Sequence, residues 1–235
     1  MKYHFITFAT PTGPYIKDAT VLCHSATTVA GFDSALICNM NVLDPGFKQQ
    51  NANILRHKRG AGYWLWKPYI ILKRLNELHD GDTLCYCDSA YRFLSDTRKI
   101  ADEWLQYSDI GACCNKPNDS KWQEHTDRKY TKHDTFELMN VPSGVERERI
   151  KSTTQAWAGF VILRKSELSV AFVREWLHYA QNAQIITDSR SAMGREDPQF
   201  IDNRHDQSIY SILLKTKHIK IHHTDNHFLY NNRMP

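Results

Sequence analysis

Long apolar runs are missing from this 235-residue sequence. The longest apolar stretches, such as Tyr69–Leu72 and Phe160–Leu163, are far shorter than the roughly 20 residues that cross a bilayer. The first residues, Met1–Phe8, have the pattern of a strand and lack the apolar core and cleavage site of a signal peptide. We therefore expect a cytoplasmic protein with no integral membrane segment.

Cysteine pairs at metal-binding spacing and clusters of one charge are also missing. The six cysteines include no Cys-x-x-Cys pair, which argues against a structural zinc site and favours free thiols in a reducing compartment. The 30 basic and 26 acidic residues are spread along the chain and leave a net charge of +4. A nucleic-acid-binding domain concentrates its basic residues on one face. We therefore expect no nucleic-acid partner.

Strand-like and helix-like segments alternate along the chain, which predicts an α/β fold. The predicted strands are Tyr3–Phe8, Ser34–Asn39, Asp82–Asp88, Asp109–Cys114, Ala156–Leu163 and His218–His222. The predicted helices are Phe47–His57, a segment with Pro68 in its first turn that ends before Gly81, Thr97–Tyr107, Glu167–Gln181 and Asp206–Lys215. Residues 115–145 predict a surface excursion or small hairpin, and residues 182–203 predict a loop. Since no linker or repeat interrupts the pattern, we expect one domain over residues 1–235.

An aspartate follows the most apolar of the predicted strands. In the stretch GDTLCYCDSAYRF, the run Leu84–Cys87 leads directly into Asp88 and Ser89. In open α/β sheets, ligands bind outside the carboxyl ends of the strands. Asp88 is therefore either a cap for the segment that follows or part of a binding site.

Two longer stretches carry a family resemblance. KRGAGYWLWKPYIILKRLNELHDGDTLCYCDSAYRF, followed later by HDQSIYSILLK, resembles the nucleotide-sugar glycosyltransferases of the GT-A fold. It is most similar to a small group with a Gly-Tyr-Trp-Leu-Trp-Lys-Pro block before the central acidic strand, and the likeness covers most of residues 2–230. The resemblance implies a single GT-A-like, Rossmann-like domain with a mainly parallel central sheet flanked by helices. Residues 1–114 would form the nucleotide-sugar-binding half and residues 115–235 the acceptor-binding half.

The resemblance also implies a metal. In these enzymes the central strand ends in Asp-x-Asp, which holds a divalent ion against the donor's diphosphate, whereas Asp88-Ser89-Ala90 offers one carboxylate. One aspartate can still support Mn²⁺ or Mg²⁺, because such ions keep several waters and use substrate phosphates as ligands. Asp88 is thus the implied metal ligand, and Ser89 lies beside the donor. A C-terminal histidine often completes such sites, and His223 is the first choice here, with His227 next.

The leaving diphosphate needs its developing charge neutralised, by metal or by Lys and Arg side chains. Arg59 and Lys67 are the candidates, whereas we interpret Lys58 as part of a solvated face. Lys67 lies between Trp66 and Pro68 at a helix start, where a cation opposes the helix dipole. A bound anion would explain a lysine at that position.

The first strand and its loop fall where GT-A enzymes hold the base and ribose. The resemblance therefore implies donor contacts from Thr7, Ala9 and Thr10. We interpret the aromatic residues of the Gly-Tyr-Trp-Leu-Trp block mainly as core packing, although one of them could stack on a base or a sugar ring.

Asp206 and Gln207 open a helix, and in similar transferases an Asp-Gln pair at this place faces the transferred sugar. If the reaction inverts the anomeric centre, a carboxylate must take the acceptor's proton, and Asp206 is the first choice. If it retains configuration, Asp206 would orient the sugar instead. The rival carboxylates in the preceding loop are Asp202, Asp197 and Glu196.

Trp157 stands among small residues that would let a ligand approach the backbone closely. It is either an acceptor platform or a core residue under the helix Glu167–Gln181. The long polar segments 115–145 and 182–203 have the length of binding loops, and we expect acceptor specificity there.

The leading interpretation is a metal-assisted glycosyltransferase that moves a sugar from a nucleoside-diphosphate sugar, UDP first, to a glycan or another hydroxyl acceptor. The alternative is a non-catalytic carbohydrate- or nucleotide-binding protein on the same fold. The Asp206-Gln207 pair together with Lys67 favours the enzyme, because a mere binder does not need them.

Overall fold

The architecture follows from buried strands that alternate with amphipathic helices. A computed structural model describes residues 1–115, 125–224 and 227–233. The strands are β1 (Tyr3–Phe8), β2 (Ser34–Cys38), β3 (Thr83–Cys87), β4 (Tyr91–Phe93), β5 (Ile110–Asn115), β6 (Phe160–Arg164), β7 (Ile221–Thr224) and β8 (Leu229–Asn231). The helices are α1 (Pro14–Thr28), α2 (Pro45–Gln50), α3 (Ala52–Leu55), α4 (Gly60–Tyr63), α5 (Trp66–Glu77), α6 (Arg98–Trp104), α7 (Asp127–Tyr130), α8 (His133–Leu138), α9 (Val145–Ser152), α10 (Glu167–Ala180), α11 (Ala183–Ile186) and α12 (Asp206–Thr216).

Six strands form one sheet in the order β2-β1-β3-β6-β5-β7. Strand β6 is antiparallel to its neighbours β3 and β5, and the other neighbouring pairs are parallel. Strands β4 and β8 form a separate two-stranded ribbon. The predicted α/β fold with a mainly parallel central sheet flanked by helices is confirmed.

The reversed strand β6 shapes the edge where the site lies. Strand β3 ends at Cys87, which pairs with Phe160, the first residue of β6. The segment that leads into β6, residues 155–159, is therefore at the same edge of the sheet as Asp88. This edge is the carboxyl end of the parallel strands, where open α/β sheets bind ligands.

Side chains from the sheet alternate between two apolar layers, as the pleat of a strand requires. Leu84 and Tyr86 belong to the larger layer, which also contains side chains of α5, α10 and α12. Cys85 and Cys87 belong to the other, which contains side chains of α1 and α6. All six cysteines are free, and all but Cys23 are buried.

Two helical regions in the first half of the chain differ from the prediction. Helix α1 is not among the predicted helices, because glycine and proline, here Gly13 and Pro14, are typical loop residues. Proline is also common in the first turn of a helix, and Pro14 has that place here. The predicted helix Phe47–His57 is two short helices, α2 and α3.

The excursion predicted at residues 115–145 is largely helical where it is described. Asp127 in α7, Asp134 in α8 and Lys132 between the two helices are buried. These polar side chains form internal ion pairs and hydrogen bonds instead of facing solvent. Residues 116–124 lie outside the described residues. The strand predicted at Ala156–Leu163 starts only at Phe160, and the last sheet strand, predicted at His218–His222, is Ile221–Thr224. No described helix is long and apolar enough to cross a membrane.

Candidate active site

Asp88 leaves the central strand with its carboxylate fixed on one side. The hydroxyl of Tyr86 donates to Oδ1 of Asp88 at 2.6 Å, and the Asp88 amide donates to the carbonyl of Gly159 at 2.9 Å. Burial raises the pKa of Tyr86 well above its ordinary value, so the phenol keeps the proton that it donates. Tyr86 and Asp88 lie two residues apart and thus on one face.

Gly159 gives this carboxylate its room. A Cβ added at Gly159 would lie 2.8 Å from Oδ2 of Asp88 and 2.2 Å from Nε1 of Trp157. Any larger residue would therefore displace one of these two side chains. The close neighbours of Gly159 are thus side chains of the protein itself, and the predicted approach of a ligand to this backbone stays a prediction.

Lys67 is buried between two carboxylates. Its Nζ lies 3.0 Å from Oδ2 of Asp206 and 3.4 Å from Oδ1 of Asp88, and it donates to the carbonyl of Ala158 at 3.3 Å. Burial, the largest single effect, lowers the pKa of Lys67, but Asp206 and Asp88 outweigh it and the pKa is raised. A lysine at a helix start is thus explained by its own carboxylate partners rather than by a bound anion.

Asp206 is the first residue of α12 and is almost completely buried. Burial raises its pKa to about 6, Lys67 opposes that shift, and the charge of Asp88 reinforces it. Oδ2 has the ion-pair contact with Lys67 but no hydrogen-bond partner among the described residues. The Lys67 ammonium is thus the group that compensates the burial of this oxygen, and Asp206 lines a cavity.

Gln207 connects α12 to the segment before β6. Its Oε1 accepts from the amide of Ala158 at 3.2 Å, and its Nε2 donates to Oε1 of Gln155 at 2.8 Å. Gln155 in turn donates to Oδ1 of Asp127 at 3.0 Å. Gln207 thus positions the backbone that carries Trp157 and Gly159.

Five consecutive residues after Lys58 and Arg59 have positive φ angles. They are Gly60 (57°), Ala61 (50°), Gly62 (94°), Tyr63 (53°) and Trp64 (59°). Single non-glycine residues visit this left-handed region, but runs are disfavoured by about 1–2 kcal/mol per residue. Such strain is found mostly at functional sites. It directs Trp64 toward His205, against which the indole stacks with a ring distance of 5.3 Å.

Two adjoining cavities open at this edge and share Asp88 and Trp64. The first, about 390 Å³, extends along the end of β1 and includes Ala9, Thr10 and Ser89 among its lining residues. The second, about 300 Å³, includes Lys67, Trp157, Asp206 and Gln207. The structure therefore brings most of the predicted site residues together around Asp88.

Thr7 and Arg59 differ from their predicted donor contacts. Thr7 is fully buried and donates to the carbonyl of Cys87 at 2.7 Å, so it joins β1 to β3 and lines neither cavity. Arg59 lines the second cavity rather than the first. Its guanidinium forms ion pairs with Asp188 at 3.1 Å and with Asp202 at 2.8 Å.

The predicted histidine ligand lies elsewhere. His223 is on β7 and lines a separate cavity, where its Nδ1 is 3.2 Å from Sγ of Cys114. The structure does not bring it to Asp88. His227, the second choice, is an exposed residue that precedes β8 and lines neither cavity at the Asp88 edge.

The rival carboxylates have partners away from Asp88. Asp197 is held by Arg128 at 2.8 Å and by Lys151 at 3.2 Å. Glu196 accepts from the amide of His133 at 2.7 Å. Glu196 and Asp202 both line a third cavity, which meets the second at Arg59.

The divalent metal that the GT-A resemblance implies does not fit the residues present. Oδ1 of Asp88 accepts a hydrogen bond and has the Lys67 ammonium 3.4 Å away, and Ser89-Ala90 supplies no second carboxylate. Across the three described ranges no group of three or more metal-ligating side chains occurs. A hard divalent cation prefers several oxygen ligands, and this donor set provides one carboxylate, whose Oδ1 is already engaged by Tyr86 and Lys67.

Several site residues were not predicted from the sequence. Tyr86 could have been found, because it is two residues before Asp88 on an apolar strand. Gly159 and Trp64 gave weaker signals. Gly159 is a glycine directly before a strand, and Trp64 follows the glycine-rich stretch Gly60–Gly62. His205 and Arg233 line the two cavities through contacts between distant parts of the chain, which no local pattern indicates.

Comparison with known proteins places this geometry in a fold. The sequence matches no family model and no curated protein. The structure is similar to that of the apo bifunctional glycosyltransferase WbbM, with a TM-score of 0.51 and 11% identity over 95% of this chain and 38% of that chain. It is also similar to apo mouse xyloside xylosyltransferase 1, with a TM-score of 0.49 and 12% identity over 96% of this chain and 86% of that chain. This chain shares its fold with part of WbbM.

Proposed function

We propose that this protein is a glycosyltransferase that moves a sugar from a nucleoside-diphosphate sugar, with UDP as the first candidate, to a hydroxyl group of a glycan or another acceptor. The observation that carries this proposal is the junction of the two cavities. They meet at Asp88 and Trp64, and the buried carboxylate of Asp206 lies in the second of them. A transfer reaction needs two adjoining binding sites with a proton acceptor near their junction.

The first cavity suits the donor nucleotide. Its volume of about 390 Å³ is within the usual range of small-molecule sites, about 300–1,000 Å³. Tyr15, Trp64 and Trp66 give it aromatic surface, and Asp88, Ser89 and Lys58 give it polar groups. Such a mixture can hold a planar base and a charged diphosphate.

The second cavity suits the transferred sugar and the acceptor. Trp157 supplies an indole there, and aromatic faces commonly support the apolar side of a sugar ring. Arg59 and Arg204 add hydrogen-bond donors for hydroxyl groups. The third cavity, about 610 Å³ and lined mostly by polar residues, continues from Arg59 and would extend the acceptor site along residues 187–203, as the sequence predicts.

Asp206 is the proposed proton acceptor for a transfer that inverts the anomeric centre. Its pKa of about 6 means that it is mostly ionised at neutral pH yet basic enough to accept a proton. The acceptor oxygen forms a bond to the anomeric carbon, and its proton moves to Asp206. The bond from that carbon to the phosphate oxygen breaks, and the nucleoside diphosphate leaves with the electron pair. In a retaining transfer Asp206 would orient the sugar instead.

The test is a panel of UDP, GDP and ADP sugars, assayed by the release of nucleoside diphosphate and by thermal shift. We expect release with one nucleotide class and a rise in melting temperature with that nucleotide, because ligand that binds only the native state stabilises it by mass action. Asp80→Asn is the matched control for the Asp206→Asn variant in this assay, since it removes one exposed carboxylate at the opposite end of β3. Binding without any release would favour the non-catalytic binding protein, and neither binding nor release would contradict the proposal.

A further inference from the structure

We propose that Lys58 and Arg233, rather than a divalent metal ion, neutralise the donor's diphosphate in the first cavity. This inference rests on the proposed function, because it assumes that the first cavity binds a nucleoside diphosphate. These two residues would neutralise the charge of the diphosphate, because the side chains around Asp88 do not form a metal site that could do so.

Charged side chains already surround Asp88. The Lys67 ammonium lies within 3.4 Å of both Asp88 and Asp206, so the three side chains together carry a charge of −1 when all are ionised. Lys67 is buried, and its Nζ contacts these two carboxylates and the carbonyl of Ala158. It is not available to the diphosphate, and its positive charge opposes the approach of a second cation to Asp88.

The first cavity has cationic side chains of its own. Lys58 and Arg233 are its cationic lining residues, and Asp88 is its acidic one. Lys58 is exposed, and no carboxylate of the described residues lies within ion-pair distance of it. Its backbone is tied to the left-handed turn, the run of positive φ angles from Gly60 to Trp64. The Lys58 carbonyl accepts a hydrogen bond from the amide of Ala61 at 3.1 Å. The interpretation of Lys58 as a merely solvated residue gives no reason for that placement.

Arg233 is held at the cavity by Asp18 and Tyr15. Oδ2 of Asp18 accepts from its Nε at 2.9 Å and from its Nη2 at 2.6 Å, and the guanidinium lies 4.3 Å from the centre of the Tyr15 ring. A guanidinium has five N–H donors, and those on Nη1 are not used by Asp18. Arg233 is therefore held in place at the cavity with donors to spare.

Lys58 and Arg233 approach the cavity from two unrelated parts of the chain. Lys58 precedes the left-handed turn, and Arg233 follows β8. An anion between them would make charge-assisted hydrogen bonds, which are roughly twice as strong as neutral ones. The leaving diphosphate gains charge as the bond to the sugar breaks, so cations placed there also favour departure.

The experiment measures UDP, GDP and ADP affinity of the full chain by titration calorimetry, with EDTA and with Mn²⁺ or Mg²⁺. We expect the nucleotide that binds to keep its affinity in EDTA within about twofold. Lys58→Ala and Arg233→Ala should each weaken it about ten- to a hundredfold, the usual loss for a hydrogen bond to a charged group. Arg233→Lys should recover part of that loss. Arg56→Ala is the control, because Arg56 carries the same charge two residues from Lys58 and lines neither cavity.

The outcomes separate this inference from the proposed function. Binding that disappears in EDTA and returns with Mn²⁺ or Mg²⁺ would overturn the inference and leave a nucleotide-binding transferase. Unchanged affinity in both alanine variants, each shown to be folded by its melting temperature, would also overturn it. Absence of nucleotide binding under every condition would overturn the inference and the proposed function together.

Discussion

Two buried lysines of this protein pair with aspartates, and the two pairs differ in how completely they are satisfied. Lys215 contacts Asp127 at 2.5 Å and also donates to the carbonyl of Thr153 at 3.2 Å. Asp127 accepts further hydrogen bonds from Ser211, Thr131 and Gln155. Lys67 instead lies between Asp88 and Asp206, and one oxygen of Asp206 has no hydrogen-bond partner among the described residues.

The difference separates a buried charge pair that serves the fold from one that we propose serves a reaction. The Lys215–Asp127 pair connects α7 to α12, and its many hydrogen bonds offset the cost of burying two charges. The Lys67–Asp206 pair has fewer hydrogen bonds around it and lines a cavity. Buried groups whose pKa is shifted at the edge of a cavity are candidates for catalysis.

The largest expected effect is on turnover in Asp206→Asn. Loss of a general base typically lowers the rate by about 10²–10⁴-fold, and the asparagine keeps the shape of the side chain. The rate of nucleoside diphosphate release in the presence of acceptor measures this loss. A rate within twofold of the wild type would remove Asp206 from the chemistry.

The second effect is on stability in Asp127→Asn. Removing one partner of a buried ion pair typically costs about 3–5 kcal/mol, and Lys215 would then lack a countercharge among the described residues. The midpoint of urea denaturation measures the loss. We expect the folded fraction to keep its nucleotide affinity, and a loss of affinity in fully folded protein would break the contrast between the two pairs.

A smaller effect is expected in Gly159→Ala. The added Cβ would displace the Asp88 carboxylate or the Trp157 indole, and misplacement of catalytic groups by about 1 Å can cost about 100-fold. We expect a roughly 10- to 100-fold loss of kcat/KM with little change in melting temperature. Gly46→Ala is the control, because a Cβ there meets no atom within 4 Å.

The smallest effect is on the pH dependence. If Asp206 must be ionised, kcat should rise with pH through about 6, its pKa in the folded protein. Lys67 lowers that pKa, so Lys67→Gln should move the rise to higher pH, whereas Lys67→Arg should leave it in place. A pH profile that is identical in all three proteins would show that Lys67 does not act through Asp206.

Much of the fold could be predicted from the sequence because it depends on local patterns. The apolar run of β3 and the periodicity of α10 and α12 indicated their elements and placed Asp88 and Asp206 at their ends. The buried helices α7 and α8 could not be predicted, because their polar side chains are satisfied by residues far along the chain, as Asp127 is by Lys215.

The candidate site shows the same limit. A lysine at the start of α5 was recognised as unusual, but its partner Asp206 is 139 positions away, so the sequence favoured a bound anion instead. The glycine-rich stretch Gly60–Gly62 marks an interruption in the sequence, whereas no local signal indicates the left-handed conformation of Tyr63 and Trp64, whose rings pack against His205. Predictions for Thr7 and His223 relied on family position, and their side chains point to other partners here.

The most direct test of the central claim is the free energy of unfolding of Asp206→Asn at pH 7.5, measured by urea denaturation beside Asp127→Asn. The pKa of Asp206 is higher in the folded protein than its ordinary value, so its ionisation opposes folding and stability falls as pH rises from about 4 to about 6. The account predicts that Asp206→Asn is as stable as the wild type or more stable. A loss of about 3–5 kcal/mol, the value expected for a structural buried pair, would contradict it.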